Sequence, residues 1–204
     1  MKPTPTALLG LFALFTPAYA VLTKGYIQIK GANWEKGVNL STLFDDYDGD
    51  VIASDAATPL KVQLDLERAQ TTDSNVEILN GFWTDLYPYL GVSARSDYDV
   101  NPTSPYIGFV NVQETPDAHL QRKENSFTAC YPNPMAGLPY QASAIWRYDP
   151  SAGGKLTPTV LGLDGSRLPY AIQGGWWEDN FHFSVGASSR PGEQLGFFFV
   201  PTTE

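Results

Sequence analysis

The chain has 204 residues, with 13 Lys and Arg against 22 Asp and Glu and a formal charge of -9. An acidic excess without a Lys/Arg cluster excludes nucleic acid as a partner, because phosphate contacts draw affinity from cations that release counterions. One Cys and two His exclude an internal disulfide, a Cys-based zinc site and iron–sulfur ligation, while 43% hydrophobic and 17% charged residues describe a folded domain.

Residues 1–20 read as a secretory signal. Lys2 gives a basic start, Ala7 to Phe15 is an apolar run too short to span a bilayer, and Ala18-Tyr19-Ala20 is a small-x-small cleavage site. Cleavage after Ala20 leaves Val21 to Glu204, 184 residues that have lost Lys2 and carry a charge of -10. No later segment has eighteen consecutive apolar residues, so no transmembrane segment is expected. The expected organisation is one β-rich domain over residues 21–204 of a secreted, or secretory-lumen, protein.

Tyr26 to Lys30 is a first short strand pattern. Asn39-Leu40-Ser41 follows as the one glycosylation sequon, with Asn39 expected on a solvent-facing loop. Asp45 to Asp50 is an acidic turn in which Asp46, Asp48 and Asp50 are weak candidates for a hard cation. The spacing fails the EF-hand test, since the required glycine falls on Val51 and the bidentate glutamate on Ala57. A solvated turn is the plainer reading, and no metal or other cofactor is expected.

Leu60 to Glu67 alternates apolar and polar residues for four cycles, the pattern of a half-buried strand. Val76 to Leu90 is the helical exception: Val76, Leu79, Phe82, Trp83 and Leu86 roughly follow a 3.6 period, which reads as a short helix or a loop crossing a barrel mouth. Ser93 to Pro105 is a long polar loop. Strand patterns resume at Tyr106 to Val112, Phe127 to Tyr131, Ala144 to Tyr148, Thr159 to Leu163, Phe181 to Val185 and Leu195 to Val200. Turn residues separate them, among them Asn80-Gly81, Gly153-Gly154 and Asp164-Gly165. The fold expected is all-β, an antiparallel sandwich or closed β-barrel of calycin-like or jelly-roll-like form, with at most one short helix. Cys130, with no partner thiol, reads as a small buried hydrophobe.

Gly-x-Ser-x-Gly and His-Glu-x-x-His are both absent, so motif-based hydrolysis has no support. The densest chemistry lies in Gly174 to Phe183, where Trp176 and Trp177 precede Glu178, Asp179, Asn180 and His182. Read as one strand, Trp176, Glu178, Asn180 and His182 share a ligand face and Trp177 joins Phe181 and Phe183. Glu178 and His182 are the catalytic candidates if there is catalysis. Trp146 and Tyr148 join Trp176, Trp177, Glu178 and His182 as ligand-binding candidates, since 24 of the 27 aromatic rings lie beyond residue 20 and exceed what packing alone requires.

Phe127-Thr128-Ala129-Cys130-Tyr131, Ile145-Trp146-Arg147-Tyr148-Asp149-Pro150, Leu156-Thr157-Pro158 and Asp164-Gly165-Ser166 follow an order that resembles small secreted proteins of filamentous fungi. The resemblance covers roughly the last 80 residues. It implies a secreted fungal β-rich protein of the cell-wall or secretome type and transfers no catalytic residue. Three functions fit these readings: a binder of a cell-wall glycan or a small apolar molecule; a cofactor-independent cyclase or isomerase of lipophilic fungal metabolites; and a structural wall protein.

Overall fold

A computed structural model describes residues 21–32, 36–44, 51–53, 58–81, 83–94, 107–129, 139–167, 172–177, 180–185 and 193–203. Four strands built largely from alternating residues open the chain: β1 (Leu22–Lys30), β2 (Val38–Phe44), β3 (Val51–Ala53) and β4 (Lys61–Asp65). Helix α1 (Leu66–Thr71) separates β4 from β5 (Val76–Ile78), β6 (Tyr89–Ala94), β7 (Ile107–Val112) and β8 (Gln121–Arg122). Helix α2 (Ser126–Ala129) precedes β9 (Tyr140–Ala142), β10 (Trp146–Asp149) and β11 (Lys155–Pro158). The last strands are β12 (Ile172–Trp177), β13 (Asn180–Val185) and β14 (Glu193–Pro201). The protein is an all-β, antiparallel barrel, with two short helices among the described residues.

Hydrogen-bonded neighbours run from β1 through β4, β5, β6, β7, β13, β12 and β14, and β14 pairs back onto β1. Such a ring leaves few free edges. Long strands change partner along one edge. β1 leaves β4 for β2, β6 leaves β5 for β9, and β14 leaves β12 for β11. Close approach at two of these strands depends on glycine: a Cβ at Gly25 would meet the Val200 carbonyl oxygen, and one at Gly91 the Ala142 carbonyl oxygen, each at 2.3 Å.

The period of two sends Ile27, Ile29, Val62, Leu64, Val76, Ile78, Leu90, Val92, Phe109, Phe197 and Phe199 to the inner face. Phe109 from β7 and Phe197 from β14 reach each other at 5.0 Å between ring centroids. Trp146 completes a three-ring cluster, stacked on Phe109 at 5.5 Å and on Phe197 at 6.0 Å. Its backbone is tied to Ser74 by bonds of 3.0 and 3.1 Å and its strand is paired with β11, while its indole N–H donates to the Leu90 carbonyl at 2.7 Å. The indole is wholly buried and its one polar atom is satisfied, which lets a tryptophan fill the interior without a desolvation penalty at the ring nitrogen.

Several expected elements differ. The alternation from Leu60 stops at Asp65, whose carboxylate accepts the Arg68 N–H at 2.9 Å and starts α1, so Leu66 and Glu67 are helical. Phe127 to Ala129 is helix, not strand, because Asn125 and Thr128 cap each other. The Asn125 side chain accepts the Thr128 N–H at 3.1 Å, and the Thr128 hydroxyl accepts the Asn125 N–H at 2.9 Å. Val76 to Leu90 is a β5–β6 hairpin instead of a helix or crossing loop. Asn80 takes up the Lys61 N–H and the Pro59 carbonyl, and Gly81 adopts a φ of 116°. Thr159 to Leu163 forms no strand, with isolated bridges at Leu161 and a bond from the Thr159 N–H to the Ile145 carbonyl; the strand pairing lies just before it, in β11. Gly153 and Gly154 turn between β10 and β11 with φ of 72° and 83°, as the glycine pair suggests.

Candidate functional site

The alternation that buries Val62, Val76 and Leu90 places their neighbours Gln63, Glu77 and Tyr89 on the outer face. The register aligns them in one row, Gln63 opposite Glu77 and Glu77 opposite Tyr89, with Lys24 of β1 opposite Gln63. The Gln63 amide donates to the Glu77 carboxylate at 2.7 Å. The segment from α1 to β5 forms one wall, and Glu114, Thr115 and Pro116 beyond β7 form another. Together they enclose a cleft of about 270 Å³.

Polar groups dominate this cleft. Asp65 is held as the α1 cap, and Asp73 accepts from Arg147 at 2.5 Å. The Asn75 amide reaches Glu114 at 3.4 Å, while its own buried oxygen meets no donor among the described residues. Burial raises the pKa of the Tyr89 phenol above its ordinary value, and the Glu114 and Glu77 carboxylates add to the shift. The phenol therefore keeps its proton at neutral pH and can donate a hydrogen bond. The Glu77 and Glu114 carboxylates, the Gln63 and Asn75 amides and the Tyr89 hydroxyl give a set of hydrogen-bonding groups suited to a hydroxyl-rich or cationic ligand. Among the described residues no group of three His, Cys, Asp and Glu side chains is arranged to hold a metal.

Of the residues singled out from sequence, neither Trp146 nor Tyr148 lines this cleft. Trp146 lies in the core with zero exposure, so its ring offers no face to a ligand. Tyr148 is half-buried and packs edge-on against Phe199 at 6.3 Å. Trp176 and Trp177 lie in β12, and His182 in β13, but the two strands form an antiparallel pair and not one continuous strand. Trp177 pairs with Asn180, Trp176 with Phe181 and Gly175 with His182. Glu178, Asp46, Asp48, Asp50 and Cys130 lie outside the described residues, as do residues 1–20. Asn39 is in strand β2 opposite Gln28, not on a loop, and its side-chain oxygen is buried.

Sequence reasoning did not single out Tyr89, Gln63, Glu77, Asn75 or Glu114 as ligand-binding candidates. The alternation in β4 did mark Gln63 as outward. Nothing local marks Glu114, which comes to the site through the β6–β7 pairing. Comparison of the chain with family models, with curated proteins and with solved structures finds no match. No helix among the described residues is long and apolar enough to cross a membrane.

Proposed function

We propose that this chain is a secreted, fungal-type β-barrel protein that binds a glycan on the outside of the barrel. The observation that carries the reading is the contrast between an interior occupied by the Phe109, Trp146 and Phe197 rings and an outer cleft lined with hydrogen-bonding side chains beside Tyr89. Sugars offer hydroxyls that both donate and accept and an apolar ring face for an aromatic side chain, which is the chemistry Gln63, Asn75, Glu77 and Tyr89 supply. A small apolar guest needs a mostly apolar pocket, and this cleft is not one. Strand β1 begins at Leu22, so cleavage after Ala20 removes no residue of the described barrel.

The test expresses the full gene, purifies the protein from the medium and incubates it with insoluble polysaccharides and soluble oligosaccharides. Retention on at least one polysaccharide, lost on Tyr89→Ala with the melting temperature kept, supports the reading. Absence of binding to every glycan, or binding untouched by changes at Gln63, Glu77 and Tyr89, overturns it. The mature amino terminus read from the same sample should be Val21.

A further inference from the structure

The charge in the outer cleft narrows the ligand further. Its lining holds four carboxylates, Asp65, Asp73, Glu77 and Glu114, against one guanidinium, Arg68. Two of the four are engaged with charged or structural partners: Asp73 with Arg147, and Asp65 as the α1 cap. Among the described residues, the side-chain hydrogen bonds to Glu77 and Glu114 come from amides, Gln63 at 2.7 Å and Asn75 at 3.4 Å. The Lys123 ammonium donates to the backbone carbonyl of Glu114 at 3.1 Å. Glu77 stands opposite Tyr89 in the β5–β6 register, and Glu114 lines the same cleft from beyond β7. A neutral sugar would leave this negative potential uncompensated, whereas an ammonium group would gain a charge-assisted hydrogen bond from each carboxylate. The volume, about 270 Å³, falls just under the roughly 300–1,000 Å³ of drug-sized sites and suits one ring or one short amine.

We infer that the cleft binds an amino sugar, its protonated amine between Glu77 and Glu114 and its hydroxyls on Gln63, Asn75 and Tyr89. The inference rests on the glycan reading and gives it a substrate class. The Leu22 side chain at the cleft rim, 48% exposed, adds an apolar surface for a sugar ring.

Calorimetry on the secreted protein tests it with three probes: oligomers of glucosamine, the neutral N-acetylglucosamine oligomers of the same backbone, and oligolysine. The glucosamine oligomer should bind at least about tenfold more tightly than the neutral one, and Glu77→Gln and Glu114→Gln should each lower that affinity by about tenfold, the size of one charge-assisted hydrogen bond. Affinity for the neutral oligomer should fall by clearly less than that for the glucosamine oligomer, and the unfolding midpoint should stay as it is, because glutamine keeps an acceptor oxygen for the Gln63 amide. Equal affinity for the two sugars overturns the amine site and leaves the glycan reading standing. Oligolysine binding as tightly as glucosamine overturns the glycan reading and leaves an amine site. No binding of any probe overturns both.

Discussion

The inside and the outside of strands β4, β5 and β6 are one residue apart in sequence and opposite in chemistry. Val62, Val76 and Leu90 belong to a core with no measurable exposure, while Gln63, Glu77 and Tyr89, their immediate neighbours, line the cleft. The same three strands therefore carry stability on one face and recognition on the other. The practical lesson is that the two can be perturbed separately. Changes inside should alter folding with little effect on the cleft's chemistry, and changes outside should alter binding with little effect on folding.

The largest effect that sharpens this division is expected at Trp146. Truncation to Ala removes the ring that touches Phe109 and Phe197 and leaves the Leu90 carbonyl without its donor, so stability measured by denaturant unfolding should fall by about 3–5 kcal/mol. A loss under about 1 kcal/mol would mean that the three rings do not fill the interior. Next is Gly91→Ala, which pushes a methyl group against the Ala142 carbonyl where β6 changes partner. Overpacking of this kind costs about 1–3 kcal/mol, and the variant should also shift the amide signals of β9.

Smaller still is Asp65→Ala, which sits between the two regions because Asp65 both caps α1 and lines the cleft. Losing the cap should cost about 1 kcal/mol, with the helical signal of residues 66–71 weakened. The smallest effect concerns pH, far from the cleft. The Ser151 hydroxyl, followed by the Ala152 and Ser151 amides, holds Asp149 below the usual carboxylate range, and Ser166 does the same for Asp164. A carboxyl whose folded pKa is lowered favours the folded state above its unfolded pKa and loses that contribution as pH falls through the folded value. Asp149→Asn should flatten the acid limb of the stability profile slightly, and an unchanged limb would remove Asp149 from the account.

Much of the barrel is legible in the sequence, and the reasons for its exceptions are local. Alternation marks β4 without ambiguity, and runs of β-branched and aromatic residues mark β1, β7, β13 and β14. Two of the errors fall where a cap overrides strand composition. Asp65 ends an alternating run by starting a helix, and Asn125 with Thr128 turns an aromatic segment into α2. Both signals were present as a short polar residue three positions before the N–H it accepts. The cleft was harder to read because its members come from β4, β5, β6 and the segment after β7, and only pairing register brings them together. Trp146 misled for the opposite reason. A tryptophan can bind a sugar or fill a barrel, and the choice depends on whether its indole N–H finds an internal acceptor, here the Leu90 carbonyl.

The most direct test is a crystal structure of the secreted protein grown with a glucosamine oligomer. The account predicts sugar density on the outer face, with the amine between Glu77 and Glu114, the ring beside Tyr89, and Phe109, Trp146 and Phe197 still in contact inside. Sugar density inside the barrel, with those three rings parted to admit it, would contradict the account.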